Sequence, residues 1–153
     1  MNGPEFDSPA QCASTRITRK KDMSLKNRIA PLLASVEKPY RYIGGESGQT
    51  VKAQASSRMA LCFPDIYELG MSNNALRVLY SIVNRDPRWA AERVFAPWPD
   101  LGDRLREHDI PLFSLESHRA LNEFDVVGIT IQTELNYTNI PYVLDLGKIP
   151  VWA

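Results

Sequence analysis

The chain reads as an α/β protein: a parallel sheet with helices on both faces, in the three-layer flavodoxin- or Rossmann-like arrangement. Three observations predict it. Met59 to Phe63 and Val126 to Ile131 are short, uniformly apolar runs, too brief for helices and suited to strands buried on both faces. Each run ends in a polar loop, Pro64-Asp65 in the first and Gln132-Thr133-Glu134 in the second, and then passes into a helical pattern. Strand-like and helix-like segments alternate along the rest, as right-handed crossovers between parallel strands require. Strands near positions 59, 93, 112 and 126 make a sheet of three or four, and Ile149 to Trp152 reads as the approach to another unit. The sheet is therefore expected to be incomplete, and the chain to be a fragment of a longer one.

A chain of 153 residues is one domain's worth, and a domain of that size buries roughly 70% of the surface its unfolded form exposes. Its 18 Lys and Arg balance 18 Asp and Glu, so the overall field gives no reason to expect nucleic acid or an anionic membrane as partner. No apolar run approaches the roughly 20 residues that span a bilayer, and the N-terminus lacks the apolar core of a secretory signal. The chain reads as cytoplasmic. Its two cysteines, Cys12 in a polar stretch and Cys62 inside the first apolar run, make a poor disulfide framework and fit reduced thiols. Cys62 is read as a small core hydrophobe.

Three regions follow one another. Residues 1–22 are polar and aperiodic and are expected to be a disordered arm or leader. Its basic residues Arg16, Arg19, Lys20 and Lys21 are too few, and too poor in neighbouring aromatics, to argue for nucleic acid. Residues 23–58 hold an N-terminal helix, with Leu25, Ile29, Leu32, Leu33 and Val36 at helical spacing around Pro31, and then an extended connection. Lys38 to Glu46 is expected to run extended from Pro39 into a turn at Gly44-Gly45. Its alternating aromatic and basic side chains suit a clamp for an anionic or aromatic group or, more simply, an edge segment that pins the arm to the domain.

Residues 59–153 form the α/β domain. After the first strand, an acidic turn is closed by Gly70, and Ser72 or Asn73 caps a helix whose Leu76, Leu79, Tyr80 and Val83 share one face, ending at Asp86-Pro87. Arg93 to Phe95 is a second strand, and Asp100 caps a helix carrying Leu101 and Leu105. Ile110 to Leu115 is a third strand-like segment, and Ser117 to Phe124 holds a turn or two of helix. Val126 to Ile131 is the clearest strand, with Gly128 permitting close backbone approach. The last helix begins near Pro141, capped by Thr138 or Asn139 and stopped by Gly147.

In open α/β sheets ligands sit outside the carboxyl ends of the strands, so the loops after positions 63 and 131 are the first candidates for function. They carry Asp65, Glu68 and Glu134. Carboxylates there suit ribose hydroxyls, an oxygen-bound metal or acid–base work, and equally well the plain capping of helix N-termini. There is no glycine-rich phosphate loop, no Gly-x-Ser-x-Gly elbow, and no partner at ligand spacing for His108 or His118. Trp98, held between Pro97 and Pro99, suits sealing of the sheet edge or stacking on a flat ligand.

The blocks RYIGGE (41–46), ALCFPDIYELGMSNNAL (60–76), ERVFAPWPDL (92–101), IPLFSLES (110–117) and FDVVGITIQTELNYTN (124–139), in this order, resemble the N-terminal region of an uncharacterised family of bacterial radical SAM proteins. The opening domain of that family is similar to cobalamin (B12)-binding domains. The resemblance implies a Rossmann-type domain that positions a cofactor or substrate over a radical SAM barrel in cis, with Asp65, Tyr67, Glu68, Gly70, Thr133 and Glu134 lining the crevice and cobalamin a candidate ligand. It also implies a [4Fe–4S] cluster and S-adenosylmethionine in the full-length protein, held through a Cys-x-x-x-Cys-x-x-Cys motif. This chain has no such motif and is not expected to be active alone. The Asp-x-His-x-x-Gly signature of many B12 domains is also missing, since the loop reads Asp65-Ile66-Tyr67-Glu68-Leu69-Gly70, and Pro141 departs from the family pattern. Two other readings stand beside this one: a non-catalytic α/β interaction module, and a small enzyme using Asp65 and Glu134 as acid and base.

Overall fold

In the computed structural model of the chain the described residues are 24–151. The arm expected over residues 1–22, with Cys12 and its basic cluster, and Trp152 lie outside them. Among the described residues the sheet has three parallel strands. β1 (Ser57–Phe63) is central, with β2 (Trp89–Phe95) on one side and β3 (Val126–Ile129) on the other. In register, Leu61 lies opposite Arg93 on β2 and Gly128 on β3.

The two-residue period of a strand sorts the side chains into two cores. Ala60, Cys62 and Val94 face one side, where α1 (Leu25–Leu33), α5 (Pro99–Glu107) and α6 (Asn139–Leu146) supply Ile29, Leu32, Leu101, Leu105, Val143 and Leu146. Leu61, Phe63, Ala91 and Phe95 face the other. There α4 (Asn74–Arg85), preceded by the short α3 (Tyr67–Ser72), covers them with Leu76 and Tyr80. The chain passes one face of the sheet between β1 and β2 and the opposite face between β2 and β3, which is the doubly wound pattern.

Local sequence explains most of the element ends. Asn73 is the cap of α4, its side-chain oxygen accepting the Leu76 N–H at 2.9 Å. Pro141 falls in the first turn of α6, where a missing N–H leaves no helical bond unmade. Asp100 is not the cap of α5. It sits in the first turn, and its carboxylate accepts the N–H groups of Leu101 and Glu37. Gly147 ends α6 without left-handed backbone, which Lys148 adopts instead at φ 54. Glycine at 147 serves close packing, since a Cβ there would lie 2.6 Å from Leu121 Cδ2.

Several expectations are corrected. The strand near 112 does not form: Ile110 to Leu115 makes only an isolated bridge, Phe113 to Ala120. The segment closes the β2 edge with a mixture of bonds, Leu115 N–H to the Arg93 carbonyl at 2.8 Å and Arg93 N–H to the Glu116 carboxylate at 2.6 Å. A side chain thus does the work of a neighbouring strand and leaves no ladder to propagate. The stretch after Pro39 is a turn of helix, α2 (Tyr40–Ile43), rather than extended. Gly70 lies within α3 instead of closing a turn. β3 stops at Ile129, and Ile131 is 45% exposed, because β3 forms the sheet edge among the described residues.

Candidate functional site

The carboxyl ends of the three strands converge on Asp65. Its carbonyl accepts the Ala96 N–H just past β2 at 3.0 Å. Its carboxylate accepts the Ile66 N–H at 2.7 Å and the Asn136 side-chain amide at 3.1 Å. Asn139 donates to the Pro64 carbonyl at 2.9 Å. The crevice between β1 and β3 is therefore laced by two asparagines, Asn136 in the turn after β3 and Asn139 at the start of α6.

Tyr67 and Glu68 follow Asp65 but turn the other way, toward the N-terminal segment. Glu68 pairs with Arg41 at 2.8 Å and accepts the Tyr40 hydroxyl at 2.9 Å. Burial pushes the Glu68 carboxyl up, but its own backbone N–H, Arg41 and Tyr40 outweigh that and hold it below the usual range. Tyr67 donates to Glu46 and is raised by burial and by that carboxylate. Arg41 also lies over the Trp98 ring, 5.2 Å from its centre, and Tyr42 accepts the Trp98 N–H. α2 is thus a brace across the ends of β1 and β2. The alternating aromatic and basic pattern at 40–42 pins this segment to the domain, and Trp98 serves it as a platform while remaining 43% exposed.

The other three expected site residues have distinct surroundings. Gly70 is buried, and a Cβ there would come within 2.1 Å of the Phe95 ring. Thr133 begins a turn of 3₁₀ helix at 134–138, exchanging a reciprocal capping pair with Asn136. Glu134 lies exposed in that turn. Of the six, Asp65 alone lines the main cleft at the strand ends.

That cleft measures about 270 Å³ and is walled by Asp65, Pro97, Asp103, Arg106, Asn139 and Tyr142, among others. Arg106 is held by Asp145 at 2.9 Å and lies over the Tyr142 ring at 5.3 Å. The mouth therefore carries two carboxylates, Asp65 and Asp103, an amide and one largely neutralised guanidinium. This set suits hydroxyl or ammonium groups better than an anion. Asp103 and Arg106 escape sequence reasoning because they read as solvated positions of an amphipathic helix; their spacing of three was the one available signal.

No group of three or more His, Cys, Asp or Glu residues is placed to hold a metal among the described residues. Cys62 is fully buried, and burial alone raises its thiol to about 12, which is unsuited to a cluster ligand that must be a thiolate. The described residues do not fit an iron–sulfur cluster. A corrin does not fit the cleft either: about 270 Å³ lies below the span of ordinary drug-sized sites, and the β1 loop offers no imidazole. No helix among the described residues is long and apolar enough to cross a membrane.

Residues 75–153, a little over half of the chain, match the family described as "Radical SAM proteins, N-terminal". The match starts in α4 and runs through β2, α5, β3 and α6. No curated protein and no solved structure matches the chain.

Proposed function

Because this chain belongs to the family of N-terminal regions of radical SAM proteins, we propose that it serves such a protein as a positioning domain. Full-length proteins of this kind carry the [4Fe–4S] cluster and use S-adenosylmethionine; the part proposed for this chain is to bind and orient, not to generate the radical. The observation that carries the reading is the cleft at the carboxyl ends of parallel strands, with Asp65, Asp103, Asn139 and Tyr142 converging on it. Its acceptors suit vicinal hydroxyls such as those of a ribose, each carboxylate taking a charge-assisted bond. The proposed partner is the catalytic barrel in cis, with β3 and the outer side of α4 as the docking face.

Titration of the isotope-labelled chain with ribose, S-adenosylmethionine and hydroxocobalamin, followed by amide NMR shifts, tests the first half. Shifts at Asp65, Ala96, Asn139 and Tyr142 with ribose or S-adenosylmethionine are the expected result. No movement at these amides with any of the three at millimolar concentration would end the cleft assignment. A corrinoid spectral change would reinstate cobalamin against the volume argument.

The interaction-module reading has one observation of its own. Val78, Leu79 and Ile82 are 56%, 43% and 55% exposed on α4, an apolar stripe that the domain itself does not cover. In the proposal above this stripe faces the rest of the same protein.

A further inference from the structure

A second hollow, larger than the strand-end cleft, lies along α1. That helix turns Ile29 and Leu32 into the first core, while Lys26, Ala30, Leu33 and Ala34, three to four residues apart, share a neighbouring flank. The chain then folds back over 34–38 into α2, and Pro39 and Ile43 supply the other wall. The groove so formed measures about 390 Å³, within the roughly 300–1,000 Å³ of small-molecule sites.

The lining selects a ligand class. Six of its eight side chains are pure hydrocarbon, and Ile43 on α2 is 56% exposed. Polar side-chain atoms come from Lys26 and His118 alone. His118 Nε2, 3.0 Å from the Tyr42 carbonyl, can only donate there. Burial lowers the pKa of the ring and Lys26 adds to the lowering, so the imidazole is neutral and the Lys26 ammonium is near enough to act on it. Lys26 is exposed and has no ion-pair partner among the described residues. An apolar groove thus carries one cation and no carboxylate.

A cationic ligand finds no counter-charge in such a place, and a neutral polar one finds few partners. A monoanion with an apolar body finds both of its requirements. The body is elongated, since the eight residues from Lys26 to Ala34 run about 12 Å along a helix axis. No Phe, Tyr or Trp lines the groove to stack on a flat ring, which favours an alkyl chain.

We propose that the groove between α1 and α2 binds a straight-chain monocarboxylate of medium length, its carboxylate at Lys26 and its hydrocarbon body against Ala30, Leu33 and Ile43. The groove shares no residue with the strand-end cleft, so the inference does not rest on the role given to that cleft.

The test is methyl and amide NMR of the labelled chain titrated with hexanoate, octanoate and decanoate below their micellar concentrations, with decyltrimethylammonium as the charge-reversed control. Shifts are expected at Ala30, Leu33 and Ile43, with affinity rising roughly three- to fourfold per added methylene. Ala30→Trp, which fills the groove, is expected to abolish them. Lys26→Glu is expected to weaken decanoate about three- to tenfold while the same methyl groups still respond. Both positions are exposed, so both variants are expected to keep the parent's thermal midpoint. Groove methyl groups that do not move at millimolar decanoate, equal affinity for decanoate and decyltrimethylammonium, or undiminished binding by a folded Ala30→Trp variant would each overturn the proposal.

Discussion

At the scale of single residues, two positions show how packing and burial override what a side chain would do in water. Gly70 is required by the Phe95 ring and not by its backbone angles, since a Cβ would overlap Cε1 and Cδ1 at 2.1 and 2.4 Å. Gly70→Ala gains helix propensity yet must push an aromatic ring out of the second core. It is expected to destabilise by about 1–3 kcal/mol, read from the denaturant midpoint; an unchanged or higher midpoint would show that the ring yields freely. His118 is buried, its Nε2 3.0 Å from the Tyr42 carbonyl and its ring stacked on Phe113. Burial lowers its pKa from 6.5, with Lys26 adding to the lowering while the Tyr42 carbonyl and Glu92 work against it. The folded protein thus keeps the ring neutral where the unfolded chain protonates it. Stability contributed by His118 is present above pH 6.5 and is lost as pH falls through the lowered value. His118→Gln, which retains a donor for Tyr42, is expected to flatten that part of the stability–pH curve, and an identical slope in both proteins would remove His118 as its source.

At the scale of elements, the βα unit from β1 to α4 is the most legible part of the chain, because local signals there agree with the tertiary outcome except at Gly70, which lies within α3, and at Leu79, expected on the face of Leu76 and Tyr80 but 43% exposed. A uniformly apolar run makes the central strand, Asn73 caps the helix, and Leu76 and Tyr80 form its buried face. Asn73→Ala removes the acceptor for the Leu76 N–H and is expected to cost about 1 kcal/mol, with Asn73→Asp close to neutral; equal losses in both variants would assign the effect to something other than the cap. The less legible elements owe their form to distant partners. α2 is held by Glu68 and Trp98, both more than twenty residues away, which Pro39 and the glycines, read locally as an extended run into a turn, do not signal. Ile110 to Leu115 has the composition of a strand, but the Glu116 carboxylate takes the ladder position on β2. The cleft was half legible: Asp65 follows from the strand end, whereas Asp103, Arg106 and Tyr142 are brought there by the docking of α5 on α6.

At the scale of the whole molecule, the two faces of the sheet are unequally covered. Asn84 exchanges hydrogen bonds with the Ala91 backbone, and Tyr80 lies against Arg93, so this side of α4 leans over β2. By the 100° step of a helix, Ala75, Leu79 and Ile82 lie on the opposite side, above β3. There Val126 is 38% exposed and Gly128 offers a low floor. The result is a shelf, one helix wide, bounded by an apolar helix flank and an open strand edge. Such a surface is a poor one to leave in water and a good one to pack against. Since the stripe contributes little to the core of this chain, the double variant Val78→Lys/Ile82→Lys is expected to leave stability within about 0.5 kcal/mol while reducing the binding of a hydrophobic dye. Leu76→Ala, one position from the stripe's flank but fully buried, is expected to cost about 2–5 kcal/mol. Comparable losses for the two would mean that the stripe is part of the domain's own core and would remove it as the proposed docking face. Retained stability with lost dye binding, followed by weakened association between the domain and the proposed barrel when the same pair is changed in a full-length protein, would locate the proposed interface on the α4–β3 shelf.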